Sequence, residues 1–229
     1  RQGDITQIDI ECIVNASNET GLGCSREGHW CIDRAIHTAA GPKLLEECKK
    51  LKGIPRTVAK LTKGYNLKAK YIIHCTGPNS IAEGREDHEA LAQSYINILN
   101  LAKEKGIKEI ALCNISSGVY GFDRERAATT AYNTCMAWLK DNPGVLTRLA
   151  FNVYDVEDRE IYKKLIIDGK EVINKDERFH GSGKKDKGCS SMWIWILLII
   201  LIIICIVLYF MYSWGWFSRN NAVSPVYVG

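Results

Sequence analysis

The chain has 229 residues, 46% of them apolar, with nine cysteines and a formal net charge of +4. So slight a positive excess, much of it gathered in residues 172–191, argues against a nucleic-acid-binding face and fits contact with anionic lipid. The cysteines are odd in number and scattered through candidate strands and helices, which suits reduced thiols better than a disulfide framework.

In chain order, the run ECIVN (11–15) reads as a buried strand ending in a polar turn. Residues 31–51 are helical in composition, with Gly41-Pro42 dividing them into two helices. TVAKLT (57–62) and KYIIHCTG (70–77) are strand-like and separated by the turn-like KGYNL. Residues 87–105 place Leu91, Tyr95, Ile98, Leu99 and Ala102 on one helical face. A strand at 109–115, a helix at 123–140, a strand at 149–154 and a helix at 158–166 follow. Strands alternating with helices imply crossover units and a largely parallel sheet covered on both faces, an α/β fold. Residues 1–168 are enough for one domain with a sizeable core.

Residues 169–191 form a polar Gly/Ser/Lys-rich tether. Residues 192–212, MWIWILLIILIIICIVLYFMY, contain no charge, glycine or proline. That length spans a bilayer core, which needs about 20 apolar residues. Trp193, Trp195, Tyr209, Tyr212, Trp214 and Trp216 cluster at its ends, as interfacial aromatics do. Lys175, Arg178, Lys184, Lys185 and Lys187 precede the run and Arg219 follows it, so residues 1–191 are expected in the cytosol. This predicts a single-pass, tail-anchored membrane protein with a short tail at 213–229. A glycolipid-anchor signal is the alternative reading of the same stretch. Two sequons, at Asn18 and Asn114, fall in segments assigned below to a ligand cleft, in keeping with a cytosolic domain. Cys189, beside the membrane, is either a candidate for S-acylation or an idle thiol.

Ligands of open α/β sheets bind beyond the carboxyl ends of the strands. That singles out NASNETGLG (15–23) and SSGVYGF (116–122), whose turns free backbone amides suited to an anion such as phosphate. A bare structural turn is the other reading of such a segment. Between them, GCSREGHWCID (23–33) puts Cys24, His29 and Cys31 within eight residues. Thiolate and imidazole are the donors zinc prefers, and three protein ligands leave a fourth position open, the pattern of catalytic zinc. The alternative is three ordinary loop residues.

The motifs GDIT (3–6), IVNASN (13–18), DRAIHTAAG (33–41), LTKGYNLKAKYIIHCTGP (61–78) and ISSGVYGF (115–122) resemble, in that order, the macro domain family. The resemblance implies a three-layer α/β/α sandwich with a mixed central sheet that recognises ADP-ribose. The family's usual strand before GDIT is expected to be missing, leaving a sheet edge exposed. Where common members carry a glycine run and Val-Asp-Gly, this chain has the longer Cys24/His29/Cys31 loop, similar to the zinc-containing subgroup whose members remove ADP-ribose from proteins.

By resemblance, Asp4 accepts from the adenine amino group with the Ile5 backbone beside it, and Tyr154 stacks on adenine. The loop from Ser116 through Ser117, Gly118, Val119 and Tyr120 cradles the diphosphate, with the Tyr120 ring near the distal ribose. Asn15 and Asn18 are the two loop asparagines, the second at the distal ribose. Asp33 lies by the scissile end and can also cap its helix, while His37 is expected to pack or hydrogen-bond. The implied activity is zinc-dependent hydrolysis of mono-ADP-ribose from modified proteins, chiefly from acidic side-chain esters, by a monomeric soluble domain. The alternative is a non-catalytic ADP-ribose reader. A nucleic-acid-binding macro domain is disfavoured because the basic clusters are modest and interrupted by acids.

Overall fold

Apolar runs of four or five residues become strands because each is buried by its neighbours. In the computed structural model, which describes residues 1–167, these are β1 (Cys12–Ala16), β2 (Ala59–Lys63), β3 (Tyr71–Cys75), β4 (Glu109–Leu112) and β5 (Arg148–Phe151). They form one sheet in the order β2-β3-β1-β4-β5. β1 runs parallel to β3 and β4, and β4 parallel to β5, while β2 pairs antiparallel with β3. The largely parallel sheet expected from strand–helix alternation therefore has one antiparallel edge. The connection between Lys63 and Tyr71 is too short for a parallel crossover, which takes a dozen or more residues.

The helices are α1 (Ile32–Ala40), α2 (Pro42–Lys50), α3 (Ser80–Glu83), α4 (His88–Glu104), α5 (Arg124–Asp141) and α6 (Val156–Ile167), with a 3-10 turn at Ile5–Gln7. Gly41, at φ 83°, ends α1 by donating its amide to the His37 carbonyl, and Pro42 opens α2. The left-handed conformation favours glycine, and proline suits a first helical turn. α4 buries Leu91, Tyr95, Ile98, Leu99 and Ala102, the face read from their spacing. α1 packs on the sheet face that carries Asn15 and His74, through Asp33 and His37. α4 covers the opposite face, where Ser94 reaches Cys75. α5 lies between α4 and α6. The result is a three-layer α/β/α arrangement around an isoleucine-rich core.

The β5 edge, expected to be bare, is partly closed by residues 1–3. Gln2 bridges Val153 in parallel, the Gly3 amide donates to the Val153 carbonyl at 2.9 Å, and the Arg1 ammonium donates to the Phe151 carbonyl at 2.7 Å. All seven cysteines among the described residues are free thiols. The linker at 169–191, the apolar run at 192–212 and the tail at 213–229 lie outside the described residues. Among the described residues, no helix is long and apolar enough to cross a membrane.

Candidate active site

The four parallel strands end on the same side of the sheet, so the segments leaving β1, β3, β4 and β5 gather there. The segment after β1 is the most elaborate. Its Asn18 Oδ1 accepts from the Thr20 and Gly21 amides at 3.0 and 3.2 Å and from the Thr20 hydroxyl, while its Nδ2 donates to the Gly23 carbonyl at 3.0 Å. Asn18 thus staples the loop shut, and its Nδ2 also lies 3.5 Å from Asp33 Oδ2. Gly23, at φ 85°, passes so close to His37 that a Cβ there would sit 3.2 Å from the imidazole Cγ.

Farther along this loop, Cys24 Sγ lies 3.3 Å from His29 Nδ1. The donor atoms of Cys24, His29 and Cys31 all fall within 4.8 Å of one another, and all three side chains are half-exposed. Zinc at about 2.3 Å from sulfur and about 2.0 Å from nitrogen holds such atoms about 3.6 Å apart in a tetrahedron, so the donor set fits the ion. The hydrogen bond from His29 holds the Cys24 thiol down to about 7, whereas burial raises that of Cys31. The loop is tied to α1 by Arg34, which donates to the Arg26 carbonyl at 2.6 Å, and by the Ala35 amide, which donates to the Cys31 carbonyl.

In the first turn of α1, inside the helix that Cys31 and not Asp33 caps, Asp33 is buried, 4% exposed, and burial pushes its carboxyl above the usual range. Its Oδ1 accepts from Asn15 Nδ2 at 2.7 Å and lies 3.6 Å from His37 Nε2. Burial also lowers the basicity of His37. Asn15 is fully buried, and both of its amide protons are engaged, one by Asp33 and one by His74 Nδ1 at 3.1 Å. It therefore serves Asp33 from behind instead of reaching the cleft surface. A second group of possible donors, His37, Cys48 and His74, also lies within 4.8 Å. It suits a metal poorly: both nitrogens of His74 are already hydrogen-bonded and burial pushes the Cys48 thiol up to about 11.

The segment after β4 is the one expected to cradle an anion. Ser116 sits at φ 68°, a left-handed conformation rarely adopted outside glycine. The turn is closed by the Gly121 amide donating to Gly118 and the Phe122 amide to Ser116. Among the described residues, none accepts from the amides of Ser117, Gly118, Val119 or Tyr120. Tyr95, buried in α4, braces the base of the segment: its hydroxyl donates to the Cys113 carbonyl at 3.0 Å and accepts from the Ile115 amide at 3.1 Å. The half-buried Tyr120 phenol is raised by burial and then by the carboxylates of Glu19 and Asp33.

At the far end, Asp4 uses Oδ1 to cap the first turn, accepting from the Thr6 amide and hydroxyl at 2.8 Å, and remains exposed. Ile5 is buried beneath it, and Tyr154 is 73% exposed, one residue past the Gln2–Val153 bridge. The sequence did not single out His74 or Thr62, which join the Asn15–Asp33 pair through contacts between residues far apart in the chain. A separate cavity of about 720 Å³ opens between β5, α5 and α6, walled by Tyr132, Met136, Leu149, Phe151, Tyr162 and Ile166, and no candidate site residue lines it.

Residues 14–131 match the macro domain family. The chain is 39% identical over 172 residues to a protein-ADP-ribose hydrolase of Staphylococcus aureus, covering 71% of this chain and 64% of the relative. It is 43% identical over 164 residues to the human ADP-ribose glycohydrolase MACROD2, covering 71% of this chain and 37% of that protein. The chain thus spans less than two thirds of the length of these curated relatives. Among solved structures, it resembles a Trypanosoma brucei macrodomain in complex with ADP-ribose, with a TM-score of 0.66, 33% identity, and coverage of 72% of this chain and 67% of that one. An Oceanobacillus iheyensis macrodomain mutant with ADPR gives a TM-score of 0.67, 32% identity, and coverage of 74% and 92%. With its sheet order, its cleft and its sequence in agreement, the chain belongs to the macro domain family.

Proposed function

We propose that this chain is a zinc-dependent hydrolase that removes mono-ADP-ribose from modified proteins, with acidic side-chain esters as the favoured linkage. The observation that carries the reading is the loop that presents Cys24, His29 and Cys31 as a compact donor set two residues ahead of the buried Asp33. The names of the relatives, protein-ADP-ribose hydrolase and ADP-ribose glycohydrolase, support the hydrolytic part.

In this reading the amides of Ser117, Gly118, Val119 and Tyr120 bind the diphosphate, while Asp4, the Ile5 backbone and Tyr154 receive adenine. The ribose that carries the protein then lies at the Asp33 end. Asn18 shapes the loop around that sugar and keeps its carboxamide near Asp33. Cys24, His29 and Cys31 would hold the zinc, which would supply Lewis acidity to the reaction. Asp33, its carboxylate made more basic by burial, takes the proton of the attacking water as the bond from C1″ to the protein carboxylate breaks. Free ADP-ribose and an unmodified acidic side chain result.

Membrane attachment through residues 192–212, with the catalytic domain facing the cytosol, is part of the same proposal. It rests on the uncharged length of the run and the five cations before it. The test is release of ADP-ribose by the full chain from an aspartate/glutamate-modified and from a serine-modified protein, with zinc content measured on the same sample. Bound zinc without turnover on either linkage would make the chain an ADP-ribose reader.

A further inference from the structure

Three strands meet under Asp33, and their register builds a polar chain that the proposed reaction leaves without a task. Asn15 on β1 and His74 on β3 are register partners in the parallel ladder, so their side chains emerge side by side on the α1 face. Thr62 on β2 lies diagonally across the β2–β3 ladder, in which Lys60 opposes His74 and Thr62 opposes Ile72. Thr62 Oγ1 is 2.8 Å from His74 Nε2, His74 Nδ1 is 3.1 Å from Asn15 Nδ2, and the same Nδ2 is 2.7 Å from Asp33 Oδ1. His74 and Asn15 are fully buried, and Thr62 is 2% exposed. Bulk water does not set these orientations.

The donor inventory fixes the direction of the chain. A carboxamide nitrogen only donates, so His74 Nδ1 must accept and the ring proton must sit on Nε2, facing Thr62. With one proton on Asp33 and the other on His74, the Asn15 carboxamide has one orientation. If it flipped, its oxygen would face both the carboxylate and the imidazole acceptor. An acceptor at Nδ1 therefore keeps the Asn15 proton on Asp33 Oδ1 and leaves Oδ2 turned toward Asn18 and the cleft.

We propose that His74 is a positioning residue for the reaction: held as the Nε2–H tautomer by Thr62, it locks the Asn15 carboxamide that aims Asp33 at the ribose. This rests on the hydrolase reading for its kinetic consequence, not for its geometry.

The test uses the full chain and three variants. His74→Leu keeps the volume and removes the acceptor, and should lower kcat at least tenfold while ADP-ribose affinity, measured calorimetrically, stays within about threefold. His74→Asn restores an acceptor near Nδ1 and should recover most of the lost kcat. Thr62→Val releases the ring proton and should give an intermediate loss. Should His74→Leu fail to fold, Thr62→Val against His74→Asn decides the matter by the same criterion. The proposal is overturned if the Thr62→Val chain turns over like the parent, if His74→Asn is as slow as His74→Leu, or if affinity falls in step with kcat. A parent with no turnover would refute the hydrolase reading instead. The tautomer is then read directly by long-range proton–nitrogen NMR of His74, where a proton on Nδ1 overturns the inference and a proton on Nε2 upholds it.

Discussion

Lowering the pH from 7 to 5 should destabilise the fold through His74 alone by about 2 kcal/mol. Burial drives its basicity from the ordinary 6.5 down to about 3, and the neighbouring His37 adds to that. A folded-state value below the unfolded one means that the unfolded chain binds the extra proton, so stability is lost as the pH falls below 6.5. Each further unit costs about 1.4 kcal/mol until the folded ring itself titrates near 3. At pH 5 the unfolded state has gained about one and a half units of that advantage, hence the 2 kcal/mol. His37, also lowered, acts in the same direction, while Asp33, raised, gains stability as the pH falls and opposes it. Cys48, raised to about 11, stays neutral throughout. His74→Asn isolates the contribution of the ring, because it keeps an acceptor for Asn15 and removes the titration. Urea unfolding of parent and variant at pH 7 and pH 5, followed by circular dichroism, should show a parental loss larger by about 2 kcal/mol. Equal losses in the two proteins would mean that His74 is not a buried neutral imidazole, and the account of the polar chain would fail with it.

A side-chain carbon added at Gly118 would meet no other atom within 4 Å, so Gly118→Glu fits sterically and places a charge in the proposed anion cradle. At about 6 Å from the diphosphate and an effective dielectric of about 20, repulsion of about 2–3 kcal/mol should weaken ADP-ribose binding by roughly 30- to 150-fold in calorimetry, with Tm little changed. Gly77→Ala would press its new carbon into Ser116 Oγ and Ile115 Cγ2, and should lower both Tm and ADP-ribose affinity by displacing the cradle. Tyr95→Phe strands the buried Ile115 amide and the Cys113 carbonyl, and should cost about 1–3 kcal/mol in chemical unfolding.

The strands and the long helices were legible because each has a local signature. The apolar runs around Ile13 and Ile72 can only be buried, and the spacing from Leu91 to Ala102 draws one helix face. α3 and the turn at Ile5–Gln7 escaped because a single turn has no periodicity, and the antiparallel β2 edge was hidden in the alternation of strands and helices. Of the candidate site, the loop with Cys24, His29 and Cys31 and the segment from Ser117 to Tyr120 are local in sequence and can be singled out from it. The burial of Asn15 and the part played by His74 and Thr62 depend on register between β1, β3 and β2, which lie far apart in the chain. No local pattern of one sequence encodes that register.

The most direct measurement is zinc content against ADP-ribose release for the parental full chain, for Cys24→Ser and for Cys31→Ser. The account predicts about one zinc per parental chain, little in either variant, and a loss of turnover that follows the metal while ADP-ribose affinity persists. Variants that lack zinc yet release ADP-ribose at the parental rate would contradict it.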